Sequence, residues 1–283
     1  MDVMNEPTTE AGRRWAEMVR LEHEQADRVR STAPDGDFWK GLAHRFSAAT
    51  REDARKDETV AALLPRLRAS DTVLDVGAGA GRIALPLAER CRFVTAVEPS
   101  LAMRERLEAQ VGEWGLRNVR LVESTWEEAD VEPADVVVCA HVLYTVMDIE
   151  PFIRKLTSHA RREVAVVLFE EPAMHAFFPL WKAVHGEDRL KLPCLPELRA
   201  VLDEMGIGFQ VHALPQWPPR PVEGVEQAMP ESMARLFIAP GTPQAERLRH
   251  ALGEALTPVE GGYTLRWAKP HRPHLITWAG TAN

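Results

Sequence analysis

The chain has 283 residues, 45% of them hydrophobic and 27% charged, with a formal net charge of −8. That is enough chain to bury a substantial core. The acidic balance argues against RNA or DNA as a partner, because nucleic acids are held chiefly by Lys and Arg on phosphate. No apolar run approaches a membrane span, which makes the cytoplasm the expected compartment, and Cys91, Cys139 and Cys194 show no metal-ligand spacing.

In chain order, residues 1–10 read as frayed, and the next stretch to Arg30 as an amphipathic helix with Trp15, Met18, Val19 and Ala26 on one face. Ala33-Pro34-Asp35-Gly36 breaks it. Asp37 is expected to cap a second helix carrying Phe38, Trp39, Leu42, Ala43 and Phe46, and a third runs from Arg51 to Leu67. Residues 1–57 therefore form an expected N-terminal helical extension, ahead of a main domain over 58–283.

Val73-Leu74-Asp75-Val76 then reads as a buried parallel strand running into Gly77-Ala78-Gly79-Ala80-Gly81-Arg82, with a helix opening at Ile83. Glycines at such a turn allow backbone angles closed to other residues and let a ligand lie against the main chain. The helix N-terminus beyond them is expected to add unpaired N–H groups that suit a carboxylate or phosphate. A dinucleotide fingerprint placed on Gly77 and Gly79 requires a small residue at position 82, where Arg82 stands. Asp75 would repel a pyrophosphate but attract an ammonium or sulfonium group. Phe93 to Val97 is the second strand and ends at Glu98-Pro99, 98 − 81 = 17 residues past the last glycine, where an acid can accept from both hydroxyls of a ribose. Ser100 is the expected N-cap of a helix over Leu101 to Val111, and Val119 to Val122 is the third strand.

With Asp75, the three glycines and Glu98 in place, the chain resembles the class I S-adenosylmethionine-dependent methyltransferases over about residues 58–170. The resemblance implies an α/β, Rossmann-like, doubly wound sheet of seven mostly parallel strands, the last antiparallel. It implies S-adenosyl-L-methionine as cofactor, its methionine part facing Asp75, Gly77, Ala78, Gly79 and Gly81 and its ribose held by Glu98 beside Pro99. It places Thr125 and Trp126 against the adenine. Many members carry an aspartate where Thr125 stands, so Trp126 is expected either to supply a backbone N–H and an apolar wall or simply to pack. The N-terminal helices resemble the lid that many small-molecule members fold over their ligands, the alternative being a packing or homodimer contact.

Further along, Ala134 to Ala140 is the fourth strand, residues from Asp148 to about His159 a helix, and Glu163 to Phe169 the fifth strand. A helix over Pro196 to Met205 leads to the sixth strand, Phe209 to Leu214. The proline-rich run 215–221 cannot continue a sheet. Helices near Glu231–Ile238 and Gln244–Leu256 follow, so that 172–262 reads as a helical, substrate-side insertion. Tyr263–Trp267 and His274–Trp278 are expected to close the sheet as antiparallel strands.

In an open α/β sheet the ligand lies beyond the carboxyl ends of the strands. This places His141 and Tyr144, after the fourth strand, at the reacting methyl. His141 is the expected general base or cofactor contact, and Tyr144 the expected substrate-orienting group. Glu171, His175 and His185 are further candidates, and Phe177, Phe178 and Trp181 form either an aromatic acceptor pocket or a satellite core. The Asn/Asp-Pro-Pro-Tyr signature of methyltransferases acting on the amino groups of bases and glutamines is missing, since Ala140-His141-Val142-Leu143 stands there. The expected function is methyl transfer to the oxygen or nitrogen of a small-molecule acceptor. The alternatives are an RNA or protein methyltransferase and a non-catalytic cofactor-binding protein.

Overall fold

In this computed structural model, which describes residues 8–30 and 50–283, nine strands form. β1 (Thr72–Val76), β2 (Phe93–Val97), β3 (Val119–Val122), β4 (Ala134–Ala140), β5 (Ala160–Phe169) and β6 (Phe209–Ala213) belong to the main sheet. β7 (Leu256–Val259) and β8 (Gly262–Leu265) pair apart from it, and β9 (Pro273–Ala279) closes it in the order β3-β2-β1-β4-β5-β9-β6. β9 runs antiparallel to both of its neighbours, and the pairings among β1 to β5 are parallel. The seven-stranded architecture is the one expected, with a single exception. Tyr263 to Leu265 leave the main sheet for the β7–β8 ribbon, because the proline-rich run separates them from β6.

The helices are α1 (Glu10–Val29), α2 (Arg51–Arg55), α3 (Glu58–Leu63), α4 (Ala84–Ala88), α5 (Leu101–Trp114) and α6 (Ile149–His159). After them come α7 (Phe178–His185), α8 (Leu195–Glu204), α9 (Val225–Arg235) and α10 (Pro243–Ala255). The alternation of β4 divides the core between the two faces of the sheet. Val137 and Cys139 join Leu74, Val164, Val166 and Ile276 against α1, α6 and α8, represented by Trp15, Leu156 and Leu198. Val136 and Val138 join Val73, Ala165 and Leu275 against Leu63, Leu85 and Leu107 of α3, α4 and α5. Burial on both faces is what a near-continuous apolar run in a parallel sheet requires.

Several local expectations change. The helix expected over Arg51–Leu67 breaks at Asp57, whose carboxylate caps α3 by accepting from Thr59 N (2.9 Å) and Val60 N (3.1 Å). α9 starts six residues before Glu231 and runs through Pro230, since packing of Met229 and Ser232 overrides the proline break. Within residues 172–262, α7 and α8 precede β6, while α9, α10 and β7 follow it. Trp181 is buried with Leu180, Met229, Leu248 and Leu252, and Phe177 packs against them, so these two aromatic side chains belong to a satellite core. The Asp37-capped helix with Phe38, Trp39, Leu42, Ala43 and Phe46 lies outside the described residues.

The beginning of α1 is anchored rather than frayed. Glu150 accepts from Thr8 Oγ1 (2.5 Å), Thr9 N (2.9 Å) and Thr9 Oγ1 (2.9 Å), and Trp15 Nε1 donates to Val146 O (2.7 Å) in the loop after β4. Burial pushes the Glu150 carboxyl up, but the Thr8 and Thr9 hydrogen bonds outweigh it and bring its pKa down to about 2 from an ordinary 4.5. A lowered acid stabilises the fold above its unfolded value and loses that contribution as pH falls from about 4.5 towards about 2. Glu150→Ala is therefore expected to cost about 2–4 kcal/mol at neutral pH. Hydrogen exchange in residues 10–29 should rise well above that of β4; equal protection in the variant would mean the anchor contributes nothing.

Candidate active site

β1 and β4 are neighbours, yet β2 lies on the far side of one and β5 on the far side of the other, so the chain departs in opposite directions at their carboxyl ends. The crevice opens at that switch point. Gly77 N and Ala78 N donate to Val97 O (2.9 and 3.1 Å), locking the turn after β1 to the end of β2. Gly77, Gly79 and Gly81 have φ of +71°, +55° and +88°. Their surroundings differ. A Cβ on Gly77 would sit 2.3 Å from Val142 Cγ2, and one on Gly81 2.4 Å from Leu107 Cδ1, so these two glycines serve packing. A Cβ on Gly79 would meet only Met103 Sδ at 4.0 Å. Gly79 is the position where backbone faces open space. The helix behind the turn, α4, has only five residues, one of them Pro86, so the expected anion-binding helix terminus is not built.

Beneath the turn, Asp75 is 2% exposed and its Oδ2 has no hydrogen-bond partner. Burial pushes its pKa up to about 7; the Arg82 guanidinium pulls against this and the Glu98 charge adds to it. Glu98 is buried too. Its Oε2 accepts from Gly79 N (2.8 Å) and its Oε1 from Ser100 N (2.9 Å), while Ser100 Oγ caps α5 through Met103 N (3.2 Å). The carboxylate thus fixes the one exposed glycine amide. Pro99 is exposed, and its carbonyl accepts from Arg104 Nη1 (2.6 Å). Arg82 is more than a residue that excludes a dinucleotide. It pairs with Asp57 (2.5 Å) and lies 5.9 Å from the Trp217 ring, tying the start of α3 and the proline-rich run to the turn.

The Trp126 side chain is packed inside the protein. Its indole is 3% exposed and meets Phe152 and His159 edge-on. Its carbonyl, with those of Glu127 and Ala129, receives the Lys155 ammonium at 2.7, 3.0 and 2.7 Å. Thr125 is half-buried; its hydroxyl and Glu128 make long 3.4 Å contacts that shape the turn after β3.

His141 and Tyr144 lie side by side after β4. His141 adopts φ +61°, a left-handed conformation uncommon for a residue with a side chain, held by its N–H on Val167 O (2.8 Å). Phe169 N donates to the Tyr144 hydroxyl (2.9 Å), which leaves that hydroxyl's own proton for His141 Nδ1 (2.9 Å). Where the hydroxyl donates to Nδ1, the imidazole proton resides on Nε2, a buried atom without a partner. Burial, reinforced by Arg82 and His271, pushes the His141 pKa down to about 3, and burial pushes the Tyr144 phenol up. A neutral ring carrying Nε2–H is a hydrogen-bond donor at that atom.

Phe169 stacks against this pair and continues it: its ring lies 4.5 Å from His141, 5.2 Å from Trp217 and 5.1 Å from His271. Trp217 and His271 exchange backbone hydrogen bonds (2.9 Å each), which folds the proline-rich run over the carboxyl end of the sheet. Neither residue stands in a motif, and only this pairing of distant segments reveals them. His175 belongs to the same corner, 5.0 Å from His271. Glu171 is exposed there, whereas His185 stacks on Trp181 in the satellite core and bonds Leu236 O (2.9 Å).

A model of the methyltransferase-domain family matches residues 46–219. The chain belongs to that family, and S-adenosylmethionine is its cofactor. It is 33% identical over 130 residues to a ubiquinone biosynthesis O-methyltransferase of Rickettsia akari (strain Hartford), an alignment covering 45% of this chain and 49% of that protein. The chain thus spans about half the length of that curated relative. Among solved structures, the YcgJ protein of Bacillus subtilis superimposes with a TM-score of 0.55 at 19% identity, covering 80% of this chain and 99% of that one. Magnesium protoporphyrin IX methyltransferase of Synechocystis PCC 6803, solved with bound SAH, gives 0.50 at 13% identity over 96% and 100% of the two chains. At these identities the likeness establishes the fold. No helix among the described residues is long and apolar enough to cross a membrane.

Proposed function

We propose that the protein transfers the methyl group of S-adenosylmethionine to a small-molecule acceptor at the carboxyl ends of β1, β4 and β5. The carrying observation is the buried Asp75 carboxylate, whose Oδ2 has no partner, at the foot of a glycine turn in which a Cβ on Gly79 would meet only Met103 Sδ at 4.0 Å. A buried carboxylate suits the cofactor's cationic amino-acid end and disfavours a pyrophosphate. Asp75 and the Gly77–Gly81 turn are proposed to hold the methionine part, Glu98 with Pro99 the ribose, and the Thr125–Trp126 backbone the adenine. The bound cofactor supplies an already activated methyl group, so the protein's work is alignment and exclusion of water. Tyr144 fixes the His141 tautomer, and His141 offers Nε2–H to whatever lies beside it. α1, docked on the loop after β4 through Trp15, is proposed as part of a cover over the crevice.

Calorimetry with S-adenosylmethionine is the direct test, with a dissociation constant well below about 1 mM (about −4 kcal/mol) expected. Weaker binding overturns the proposal. Methyl transfer from labelled cofactor should label the small-molecule fraction of a cell extract; label confined to the large fraction would make the acceptor a macromolecule. Tight binding with no label in either fraction would mark a non-catalytic cofactor-binding protein.

A further inference from the structure

The amino-acid end of S-adenosylmethionine carries a carboxylate as well as an ammonium, and the acids of the glycine turn suit only the ammonium. Asp75 and Glu98 are both buried there, and each repels a further anion. The helix terminus that would receive an anion is not built, since α4 has only five residues. Of the described cations near the turn, Arg104 is spent on the Glu98 and Pro99 carbonyls (3.1 and 2.6 Å) and on the Glu123 carboxylate.

Arg82 is placed differently. It follows the last glycine directly, and its side chain is 24% exposed, within reach of a ligand. Nη1 donates to Asp57 Oδ2 (2.5 Å), and the other oxygen of Asp57 is fixed by capping α3. Nε and Nη2 have no hydrogen-bond partner among the described residues. The guanidinium is thus held at one corner, and its remaining two-donor edge is the one that meets a carboxylate bidentately. Its Cζ lies 5.9 Å from the Trp217 ring, which is itself 5.6 Å from the His141 ring. After burial, the Arg82 charge is the largest influence on both the Asp75 carboxyl and the His141 imidazole, so it stands between the two groups that flank the crevice.

We infer that Arg82 receives the carboxylate of the cofactor's amino-acid end on its Nε and Nη2 edge, while Asp75 receives the ammonium. One cation and one anion then match a zwitterion, and Asp57 holds the cation in place before the ligand arrives, which reduces the ordering cost of binding. The inference rests on the methyltransferase reading and deepens it, by assigning the carboxylate to a residue outside the set of acids and glycines.

The test is calorimetry on the full chain at pH 8 with three probes. These are S-adenosylhomocysteine, its decarboxylated analogue, which keeps the ammonium, and 5′-methylthioadenosine, which lacks both groups. Wild type should bind S-adenosylhomocysteine at least about tenfold more tightly than the decarboxylated analogue. Arg82→Gln should lose about tenfold or more for S-adenosylhomocysteine and keep wild-type affinity for the other two probes. Arg82→Lys, which retains the charge without the two-donor edge, should narrow the wild-type preference without erasing it. Asp57→Asn should keep that preference, because it alters the neighbour of the guanidinium and not the guanidinium. Equal losses for all three probes in Arg82→Gln would give Arg82 a purely structural role and overturn the inference, as would a wild-type preference that survives in that variant. Equal wild-type affinity for S-adenosylhomocysteine and its decarboxylated analogue overturns it without any variant. A wild-type chain that binds none of the three probes would instead sink the methyltransferase reading, so the two failures are distinguishable.

Discussion

Gly79→Arg is expected to abolish S-adenosylmethionine binding while leaving the protein folded. Any side chain at φ +55° carries a strain of about 1 kcal/mol, and here it meets only Met103 Sδ at 4.0 Å, so the arm extends into the crevice rather than into the core. The added cation also stands above Asp75, where the cofactor's positive groups are proposed to lie. Affinity should fall by at least about a hundredfold, close to 3 kcal/mol, with a melting-temperature loss of only a few degrees. Gly81→Ala makes the opposite pattern. Its Cβ would sit 2.4 Å from Leu107 Cδ1 and 3.0 Å from Leu85 Cγ at φ +88°, so overpacking and strain together should cost about 2–4 kcal/mol of stability. Calorimetry and denaturant unfolding on the two variants separate a glycine that faces a ligand from one that faces the core. Wild-type affinity in Gly79→Arg would place the cofactor elsewhere.

That contrast shows where sequence patterning stops. Spacing makes the turn visible and assigns all three glycines to the ligand, yet it cannot say which Cβ would meet Val142, Leu107 or nothing. The answer depends on α5 and on the loop after β4, which approach only in the folded chain. β1 to β6 and β9 were legible because apolar runs of that length have few alternatives, and Ser100 and Thr242 because capping chemistry is local. Thr8 and Thr9 were not: their fixation depends on Glu150, more than 140 residues away in the chain. At the site, Asp75, Glu98, His141 and Tyr144 stand at strand ends and could be named in advance. The neutral state of His141 could not, since it follows from burial together with the Arg82 and His271 charges, which only the folded chain brings to it. Trp217 and His271 lie beyond any pattern because a proline-rich run is usually a connection, and here it folds back across the crevice.

Asp75 provides the largest expected pH effect. Its pKa in the folded protein is about 7 against an ordinary 3.8, so between those values the native state holds a proton that the unfolded chain has released. Stability must therefore fall as pH rises through that window, by an amount on the order of 4 kcal/mol for a three-unit shift. Asp75→Asn removes the titration but preserves the shape. Free of cofactor, the variant should be more stable than wild type by about 2–4 kcal/mol at pH 8 and about equal to it near pH 4. Its affinity for S-adenosylmethionine should nevertheless drop at least about tenfold at pH 8, because the neutral amide has no charge to offer a cation. In wild type a bound cation selects the ionised carboxylate, so binding below pH 7 releases a proton and affinity climbs with pH until it levels off above that value. Calorimetry at pH 6 in two buffers of different ionisation enthalpy reads that proton directly, and Asp75→Asn should show none. If the stability curves of variant and wild type run parallel from pH 4 to pH 8, the carboxyl is not titrating in this window. The attraction between a buried anion and the cofactor's positive end then loses its basis, because a group that costs the free protein nothing has no unsatisfied charge for a ligand to relieve.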